Sequence, residues 1–407
     1  MPLYRLASRS LAISGKRSFI TQSPWQSYRP NGRQNSRRSV HSGLSSFSQR
    51  PKTSTAQSFR RPSYTHPGRR TFLTESLHPV LIPPTVFLMC FFGLWSYKII
   101  MTIVFQNKLI YMPYMPPFAR SENMEDYAKL CRPVEWQEIS IKSLDGTRIA
   151  LCAGEIHHGK IQEAPEKHCQ KRTVVIYFQG NGGSMPLRLP MLSGVLKALD
   201  RQTSELDRRF TLVAPSYRGF WKSRGRASQN GIERDAKATL QWVHQAYSGE
   251  NCDLNIVLWG QSLGAGVATN LAAWHVNQDS TNRPKIAGII LETPFIGIKA
   301  MLLALYPQKW LPYRYLWPFL RNFWDSDQAL RDFARSKEKN DLPIQIITAG
   351  DDEVVPASQA DHLRRLCQEL ELNVRRKGIV GSLHNEVPDR AAGRESIASF
   401  IKEVGHR

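Results

Sequence analysis

The feature that most constrains this chain is a Gly-x-Ser-x-Gly motif between a β-forming run and a helix-forming run. Residues 256–259 are apolar and lead into Gly260, Ser262 and Gly264, and residues 267–274 favour a helix. This order predicts a strand, a sharp turn and a helix, with the serine exposed at the turn. The two glycines are needed where strand and helix backbones nearly touch. The motif therefore predicts Ser262 as a nucleophile, against the alternative of an inert Gly/Ser-rich turn.

Short apolar strands alternate with helices on both sides of this motif. The predicted strands cover residues 134–141, 147–153, 173–178, 210–214, 256–259, 286–291, 343–348 and 373–379. The predicted helices cover residues 185–199, 232–247, 357–370 and 394–404, besides the helix after Ser262. Such alternation is typical of a mostly parallel, doubly wound α/β sheet with helices on both faces.

A nucleophilic serine needs a general base and a carboxylate that orients the base. Where the serine lies on such a turn, the acid and then the base follow it in the chain, after later strands. Asp351 and Asp352 follow the seventh predicted strand, and His384 follows the eighth. We expect Asp352 and His384 to complete the triad. Asp351 remains an alternative acid, because either aspartate could instead cap the helix at Ala357.

Two backbone N–H groups should bind the oxyanion that forms on the substrate. The first is expected from Leu263, the residue after the nucleophile. The second is expected from Asn181, in the Gln-Gly-Asn-Gly-Gly loop that follows the third predicted strand. This loop lacks the lysine of a phosphate-binding loop and the spacing of a dinucleotide fingerprint. We therefore predict an oxyanion hole formed by Asn181 and Leu263.

A long apolar stretch precedes this domain. Residues 76–97 contain no charged side chain, and Lys98 is followed by a further apolar run to Phe105. About 20 apolar residues are enough to cross a bilayer. We predict a transmembrane helix at residues 80–105, with Trp95, Tyr97 and Lys98 near an interface.

Residues 1–74 contain 14 lysines and arginines and no acidic residue. Their Arg- and Ser-rich composition is typical of a mitochondrial transit segment, and a disordered basic tail is the alternative. Because basic flanks stay on the side from which a segment is inserted, the domain would face the intermembrane space. The predicted location is the mitochondrial inner membrane, with the endoplasmic reticulum membrane as the alternative.

The basic tail accounts for most of the net charge of +21, since the rest of the chain holds 41 basic and 34 acidic residues. The domain also lacks a nucleic-acid-binding motif, so we expect no nucleic-acid partner. The six cysteines form no Cys-x-x-Cys pair, and none has zinc-like spacing to histidine. We expect no metal and no cofactor.

Residues 295–340 lie between two predicted sheet strands and are rich in tryptophan, tyrosine and phenylalanine. An aromatic insertion at this place is typical of a lid that covers an apolar substrate. The alternatives are ordinary helix packing and contact with the bilayer surface.

Short motifs recur along the chain at Gln106–Pro113, Gln179–Gly183, Tyr217–Ser223, Gly260–Gly264, Glu292–Phe295, Asp352–Pro356 and His384-Asn385. Together they resemble one family, the membrane-anchored α/β-hydrolase-domain proteins, and are similar to its fungal bud-emergence members and to animal abhydrolase-domain protein thirteen. The resemblance covers roughly residues 80–405. It implies an α/β-hydrolase fold with Ser262 as nucleophile, Asp352 as acid and His384 as base.

The sequence departs from this family at Gln179, where histidine is usual. We expect the Gln179 amide to hold the oxyanion loop by hydrogen bonding instead. The acid loop also looks one residue shorter than the family's, which keeps Asp351 as the alternative.

The predicted organisation is a basic tail at 1–74, a membrane helix at 80–105 and a hydrolase domain at 107–407 with its lid at 295–340. The predicted activity is cleavage of a lipid ester or acyl thioester through an acyl-enzyme. A serine peptidase and a catalytically silent, membrane-tethered scaffold are the alternatives.

Overall fold

A computed structural model describes residues 79–156, 170–203, 208–249, 252–278, 283–336 and 342–406 of the chain. The basic tail at residues 1–74 lies outside the described residues, and so does the polar loop at 157–169. The predicted targeting segment therefore stays a prediction from composition. All of the described residues belong to one unit, Phe72–Arg407.

Eight strands form a single sheet in the order β1-β2-β4-β3-β5-β6-β7-β8. They are β1 (Val134–Lys142), β2 (Arg148–Ile156), β3 (Gln170–Phe178), β4 (Arg208–Pro215), β5 (Cys252–Gln261), β6 (Ile286–Glu292), β7 (Ile344–Ala349) and β8 (Val374–Ile379). Strand β2 is antiparallel to β1 and β4. The other six strands, β3 to β8, are all parallel to one another. The predicted mostly parallel sheet is confirmed.

Ten α-helices accompany the sheet within the described ranges. They are α1 (Ile82–Val104), α2 (Gln106–Tyr111), α3 (Ala128–Cys131), α4 (Leu189–Gln202), α5 (Gln229–Tyr247), α6 (Leu263–Val276), α7 (Ile298–Leu305), α8 (Ser326–Ala334), α9 (Ala357–Glu369) and α10 (Ala391–Gly405). Helices α4 and α10 pack on one face of the sheet, and α5, α6, α8 and α9 pack on the other.

The central strand β5 shows why both faces are covered. Its side chains alternate, so that Ile256 and Leu258 enter one apolar core while Val257 and Trp259 enter the other. All four are fully buried. A strand that is apolar on both faces requires helices on both faces, which places β5 and the motif after it at the centre of the molecule.

Helix α1 lies outside both cores, and none of its residues is buried. Its 23 residues extend about 34 Å, which exceeds the roughly 30 Å hydrocarbon thickness of a bilayer. Among the described residues, it belongs to the one stretch, Pro79–Val104, that is long and apolar enough to cross a membrane.

The predicted lid separates into two parts. Residues 295–323, which we call the cap, contain α7 and two short 3-10 turns, Pro312–Tyr315 and Trp317–Phe319. The following helix α8 belongs to the core instead, because its Leu330 and Phe333 are buried against α6 and its neighbours. The surface part of the insertion therefore ends near residue 323 rather than 340.

Candidate active site

Ser262 lies at the turn between β5 and α6, with φ 51° and ψ −113°. A non-glycine residue at such a φ is strained, and strain of this kind is found at functional sites. A Cβ on Gly260 would lie 2.1 Å from the Gly264 carbonyl oxygen, and a Cβ on Gly264 would lie 1.9 Å from that of Phe178. Only glycine fits either position, so the two glycines bring strand and helix close enough to form the turn.

His384 and Asp352 pair at the edge of the sheet where Ser262 also lies, because they follow β8 and β7, and Ser262 follows the parallel strand β5. The Nδ1 atom of His384 lies 2.9 Å from both carboxylate oxygens of Asp352. The Oδ1 atom of Asp352 also accepts hydrogen bonds from the backbone N–H groups of Val354 (3.0 Å) and Val355 (2.8 Å). Asp351 is exposed, and its backbone N–H donates to the carbonyl of Ser382. The structure thus pairs Asp352, and not Asp351, with the histidine.

The environment of Asp352 keeps it ionised. Burial raises the pKa of its carboxyl group, but the hydrogen bond and charge of His384 and the two backbone donors outweigh burial. The net effect is a pKa below the ordinary value. An ionised Asp352 accepts a hydrogen bond from the N–H group at Nδ1 of His384. In this tautomer Nε2 carries no proton and can accept one.

A second carboxylate fixes the backbone of His384. The Oε2 atom of Glu353 accepts a hydrogen bond of 2.9 Å from the His384 N–H group. His384 is buried and Ser262 is 8% exposed. Across the described ranges, no hydrogen bond joins the side chains of Ser262 and His384, as is common before substrate binds. The role of Glu353 was missed, because a backbone contact across 31 residues leaves no trace in a motif.

The oxyanion loop lies against the nucleophile. A Cβ on Gly180 would lie 3.5 Å from Cβ of Ser262. Asn181 is exposed beside it, and Leu263 begins α6 directly after the serine. The structure therefore brings together the loop and the helix that carry the two predicted oxyanion donors.

The loop is held by the segment that follows α1. The N–H of Gly182 donates to the carbonyl of Tyr111 (2.9 Å), and that of Gly183 donates to the carbonyl of Met115 (2.5 Å). The Gln179 side chain is buried, and neither of its amide atoms has a hydrogen-bond partner within the described part of the chain. The expectation that this amide holds the loop is therefore wrong, because backbone bonds hold the loop instead.

A buried polar network lies beneath the nucleophile. Gln261 Nε2 donates to Glu292 (2.9 Å), and its Oε1 accepts from Tyr177 (2.9 Å) and Arg188 (2.8 Å). Arg188 also donates to the carbonyl of Gly182 (3.3 Å) in the oxyanion loop. The network therefore joins the residue before Ser262 to the oxyanion loop. The sequence offered only the Glu-Thr-Pro-Phe motif as a sign of it.

Glu292 is the acidic group of this network. Its carboxylate accepts from Trp259 Nε1 at 2.8 Å as well as from Gln261, and its backbone carbonyl accepts from Ser262 N at 2.8 Å. Burial raises the pKa of Glu292 to about 7 despite these donors. Across the described ranges, no three His, Cys, Asp or Glu side chains gather as metal ligands.

Comparison with known proteins agrees with this fold. Residues 173–336 match the family model for the alpha/beta hydrolase fold. An uncharacterised protein of Mycobacterium tuberculosis is 30% identical over 305 residues, which are 74% of this chain and 88% of that protein. Protein bem46 of Schizosaccharomyces pombe is 27% identical over 265 residues, covering 65% of this chain and 75% of that protein.

The chain is also similar to a named lipase over part of its length and to a solved hydrolase structure. Lysophosphatidylserine lipase ABHD12 of Danio rerio is 33% identical over 188 residues, which are 45% of this chain and 44% of that protein. The crystal structure of an alpha-beta hydrolase from Vibrio vulnificus superposes with a TM-score of 0.49 at 17% identity, covering 74% of this chain and 90% of that one. With the match to the family model and the long alignments with its relatives, the chain belongs to the α/β-hydrolase family and is similar to bem46.

Proposed function

We propose that this protein is a membrane-anchored serine hydrolase of the esterase or lipase type, with Ser262 as nucleophile, His384 as base and Asp352 as the orienting acid. The observation that carries the proposal is the pairing of His384 Nδ1 with both oxygens of Asp352 at the same sheet edge as a serine in a strained strand-to-helix turn. Strain at the serine and an ionised acid behind the histidine are costly features that acyl transfer uses.

The first half of the reaction forms an acyl-enzyme. Nε2 of His384 takes the proton of Ser262 as Oγ attacks the carbonyl carbon of the substrate. The backbone N–H groups of Asn181 and Leu263 stabilise the oxyanion. The tetrahedral intermediate then collapses, the bond to the alcohol or thiol breaks, and His384 gives its proton to that leaving group.

The second half returns the enzyme to its starting state. His384 takes a proton from water, and the resulting hydroxide attacks the acyl carbon on Ser262. Collapse of the second intermediate releases the carboxylic acid, and the proton on His384 returns to Oγ. Asp352 remains ionised throughout, and its charge stabilises the imidazolium that forms in each half.

The substrate class follows from the cap and the anchor. The surface part of the insertion is rich in aromatic residues, which suit an acyl chain. ABHD12 of Danio rerio, a lysophosphatidylserine lipase by name, matches over less than half of each chain. We propose a lipid ester, and an acyl thioester as the second candidate. A peptidase and a silent scaffold are less well supported, because both leave the aromatic cap or the triad unused.

The anchor in this proposal is α1, none of whose residues is buried within the described part of the chain. We propose the mitochondrial inner membrane as the location, with the catalytic domain in the intermembrane space, and the endoplasmic reticulum as the alternative. This part rests on the composition of residues 1–74 alone. Protease protection of the domain in intact and swollen mitochondria tests it.

The activity is tested with the full-length protein in detergent or nanodiscs. Lysophospholipids, long-chain acyl thioesters and peptide esters are offered in parallel to wild type and Ser262→Ala. We expect release of fatty acid from the lipid or the thioester by wild type alone. Equal turnover by both proteins, or turnover of peptides only, would contradict the proposed substrate class.

A further inference from the structure

We propose that the cap is a membrane-docking surface that rests on the anionic face of the bilayer beside α1, so that the active site takes its substrate from the membrane. The inference rests on the proposed anchoring by α1. The partner of this surface is a phospholipid bilayer with anionic headgroups.

The cap contacts α1 near the point where a membrane-spanning helix would leave the bilayer. Lys98 Nζ lies 5.1 Å from the centre of the Tyr313 ring in the cap. A crossing of about 20 residues counted from Pro79 or from Ile82 ends at residue 98 or 101. Tyr313 therefore contacts α1 at the level where a spanning helix meets the headgroups. A rise of 1.5 Å per residue places Lys98 about 9 Å before the end of α1, so the cap extends back along the helix toward the bilayer.

The cap is firmly attached at this level. Arg321 donates to the carbonyls of Ile103 (3.1 Å) and Val104 (2.9 Å), the last residues of α1. A guanidinium at a helix C-terminus satisfies free carbonyls and complements the helix dipole. The side chain of Gln106 also donates to the carbonyl of Phe319 (3.0 Å) and accepts from the N–H of Arg321 (2.7 Å). The cap and the helix end thus form one unit, which fixes the distance from the cap to the membrane.

The surface chemistry of the cap also suits a membrane interface. Trp310 is 77% exposed, Phe319 57% and Tyr315 55%. Exposed aromatic clusters of this kind are rare on water-facing surfaces, and tryptophan and tyrosine favour the membrane interface. Residues 295–323 also contain Lys299, Lys309, Arg314 and Arg321 and no acidic residue. Within the described part of the chain, none of these four residues forms a salt bridge. Arg314 and Arg321 donate to backbone carbonyls and Lys299 lies over the Trp317 ring, so no carboxylate neutralises the positive charge of the cap, which suits anionic headgroups.

The same segment connects docking to the active site. Helix α2 follows α1 directly, and the carbonyl of Tyr111 at its end accepts the hydrogen bond of Gly182 in the oxyanion loop. The Tyr111 hydroxyl donates to Asn322 (2.9 Å) of the cap and accepts from Trp324 (2.9 Å). Cap, membrane helix and oxyanion loop are therefore joined through one buried tyrosine.

Depth of insertion tests the docking without using activity. An environment-sensitive fluorophore is attached at Trp310→Cys in full-length protein whose Cys90, Cys169 and Cys252 are replaced by serine. The matched control carries the same fluorophore at Leu130→Cys, on α3 outside the cap, where the native side chain is 64% exposed. Both proteins are placed in nanodiscs that contain brominated phosphatidylserine and phosphatidylcholine. We expect strong quenching at residue 310 and little at residue 130. Equal quenching at both positions would overturn the proposal.

Function is tested with two cap substitutions that leave the catalytic residues untouched. Trp310→Ser combined with Phe319→Ser should lower turnover of a bilayer-resident ester about tenfold or more, since two interfacial anchors are lost. The same variant should keep wild-type hydrolysis of a soluble acetate ester, which has no acyl chain for the cap to bind, and wild-type labelling by a fluorophosphonate. Leu130→Ser is the control. Equal loss on both substrates would mean damage to the fold and would contradict a docking role.

The charge component is tested with Lys309→Glu. It should reduce the stimulation of activity by phosphatidylserine about fivefold or more, and have no effect in pure phosphatidylcholine. Lys129→Glu on α3 should match wild type. Quenching at residue 310 in a protein whose Ser262 is inert to fluorophosphonate would leave docking intact and remove the proposed chemistry. Normal fluorophosphonate labelling of Ser262 without quenching at residue 310 would keep the proposed chemistry and contradict the docking.

Discussion

Replacement of Asp352 by asparagine should abolish most of the activity while leaving the fold intact. In the native chain, Oδ1 of Asp352 accepts hydrogen bonds from Val354 N, Val355 N and His384 Nδ1, and Oδ2 accepts from His384 Nδ1 alone. The two backbone donors should hold the single oxygen of the asparagine in the Oδ1 position. Its NH₂ group then takes the place of Oδ2 and faces Nδ1.

This inversion changes the tautomer of His384. The NH₂ group donates, and at the Oδ2 position its hydrogens would face an Nδ1–H at 2.9 Å. Repulsion between these two donors favours the tautomer in which Nδ1 accepts and the ring proton lies on Nε2. A protonated Nε2 cannot accept the proton of Ser262. We expect kcat/KM to fall about 10⁴-fold, or about 5 kcal/mol in transition-state stabilisation. The thermal midpoint should change little, because the two backbone hydrogen bonds to the side chain remain.

The assay is steady-state hydrolysis of a short soluble ester by full-length protein in detergent, beside thermal unfolding of the same preparation. Asp351→Asn is the matched control, since Asp351 is exposed and its contact to Ser382 is made by the backbone. It should keep wild-type kcat/KM. An Asp352→Asn enzyme within about tenfold of wild type, or an equal loss in Asp351→Asn, would refute the reasoning from tautomers.

Three further substitutions probe the parts around the triad. Gly264→Ala places a Cβ 1.9 Å from the Phe178 carbonyl oxygen, so it should destabilise the protein by about 3 kcal/mol or more. The control is Gly93→Ala, whose Cβ has nothing within 4 Å and should leave stability unchanged. Equal thermal midpoints for the two variants would contradict the close contact. The pKa of Glu292 is raised to about 7, so between about pH 4.5 and 7 the folded protein keeps a proton that the unfolded chain has lost. The free energy of unfolding of wild type should therefore fall by up to about 3 kcal/mol as pH rises through this window. Glu292→Gln should remove that slope, and chemical denaturation at pH 5 and pH 7.5 measures it. Gln179→Met removes two buried amide atoms that lack partners within the described residues and should raise the thermal midpoint or leave it unchanged; a loss of more than about 1 kcal/mol would show that the amide is satisfied in solution.

The sheet could be predicted from the sequence because its strands are buried on both faces. Runs such as Ile256–Trp259 are apolar without interruption, and where such runs alternate with helices they indicate strands covered on both sides. The turn at Ser262 was equally predictable, because two glycines at fixed spacing encode a close approach of backbones that no other residue permits.

Other features depend on contacts between distant parts of the chain. The pairing of Asp352 with His384 depends on the turn that brings Val354 and Val355 onto the same carboxylate oxygen, and two adjacent aspartates look alike without that turn. The attachment of the oxyanion loop to Tyr111 is formed by backbone atoms, which have no signature in composition.

The predicted lid shows a third kind of difference. Aromatic and apolar residues recur throughout residues 295–333, so the pattern does not mark where the surface ends and the core begins. The boundary is set by Trp324, which is fully buried and donates to Tyr111, and by α8, which packs on α6. Burial of a tryptophan with a satisfied N–H is a property of the assembled fold.

The central claim is that Ser262 is an activated nucleophile. The most direct measurement is labelling of the full-length, detergent-solubilised protein by a fluorophosphonate, beside Ser262→Ala and His384→Ala, with the modified peptide identified by mass spectrometry. The account predicts one adduct, on Ser262, that disappears in both variants. A folded wild-type protein that is not labelled, or that is labelled equally when Ser262 is alanine, would contradict it.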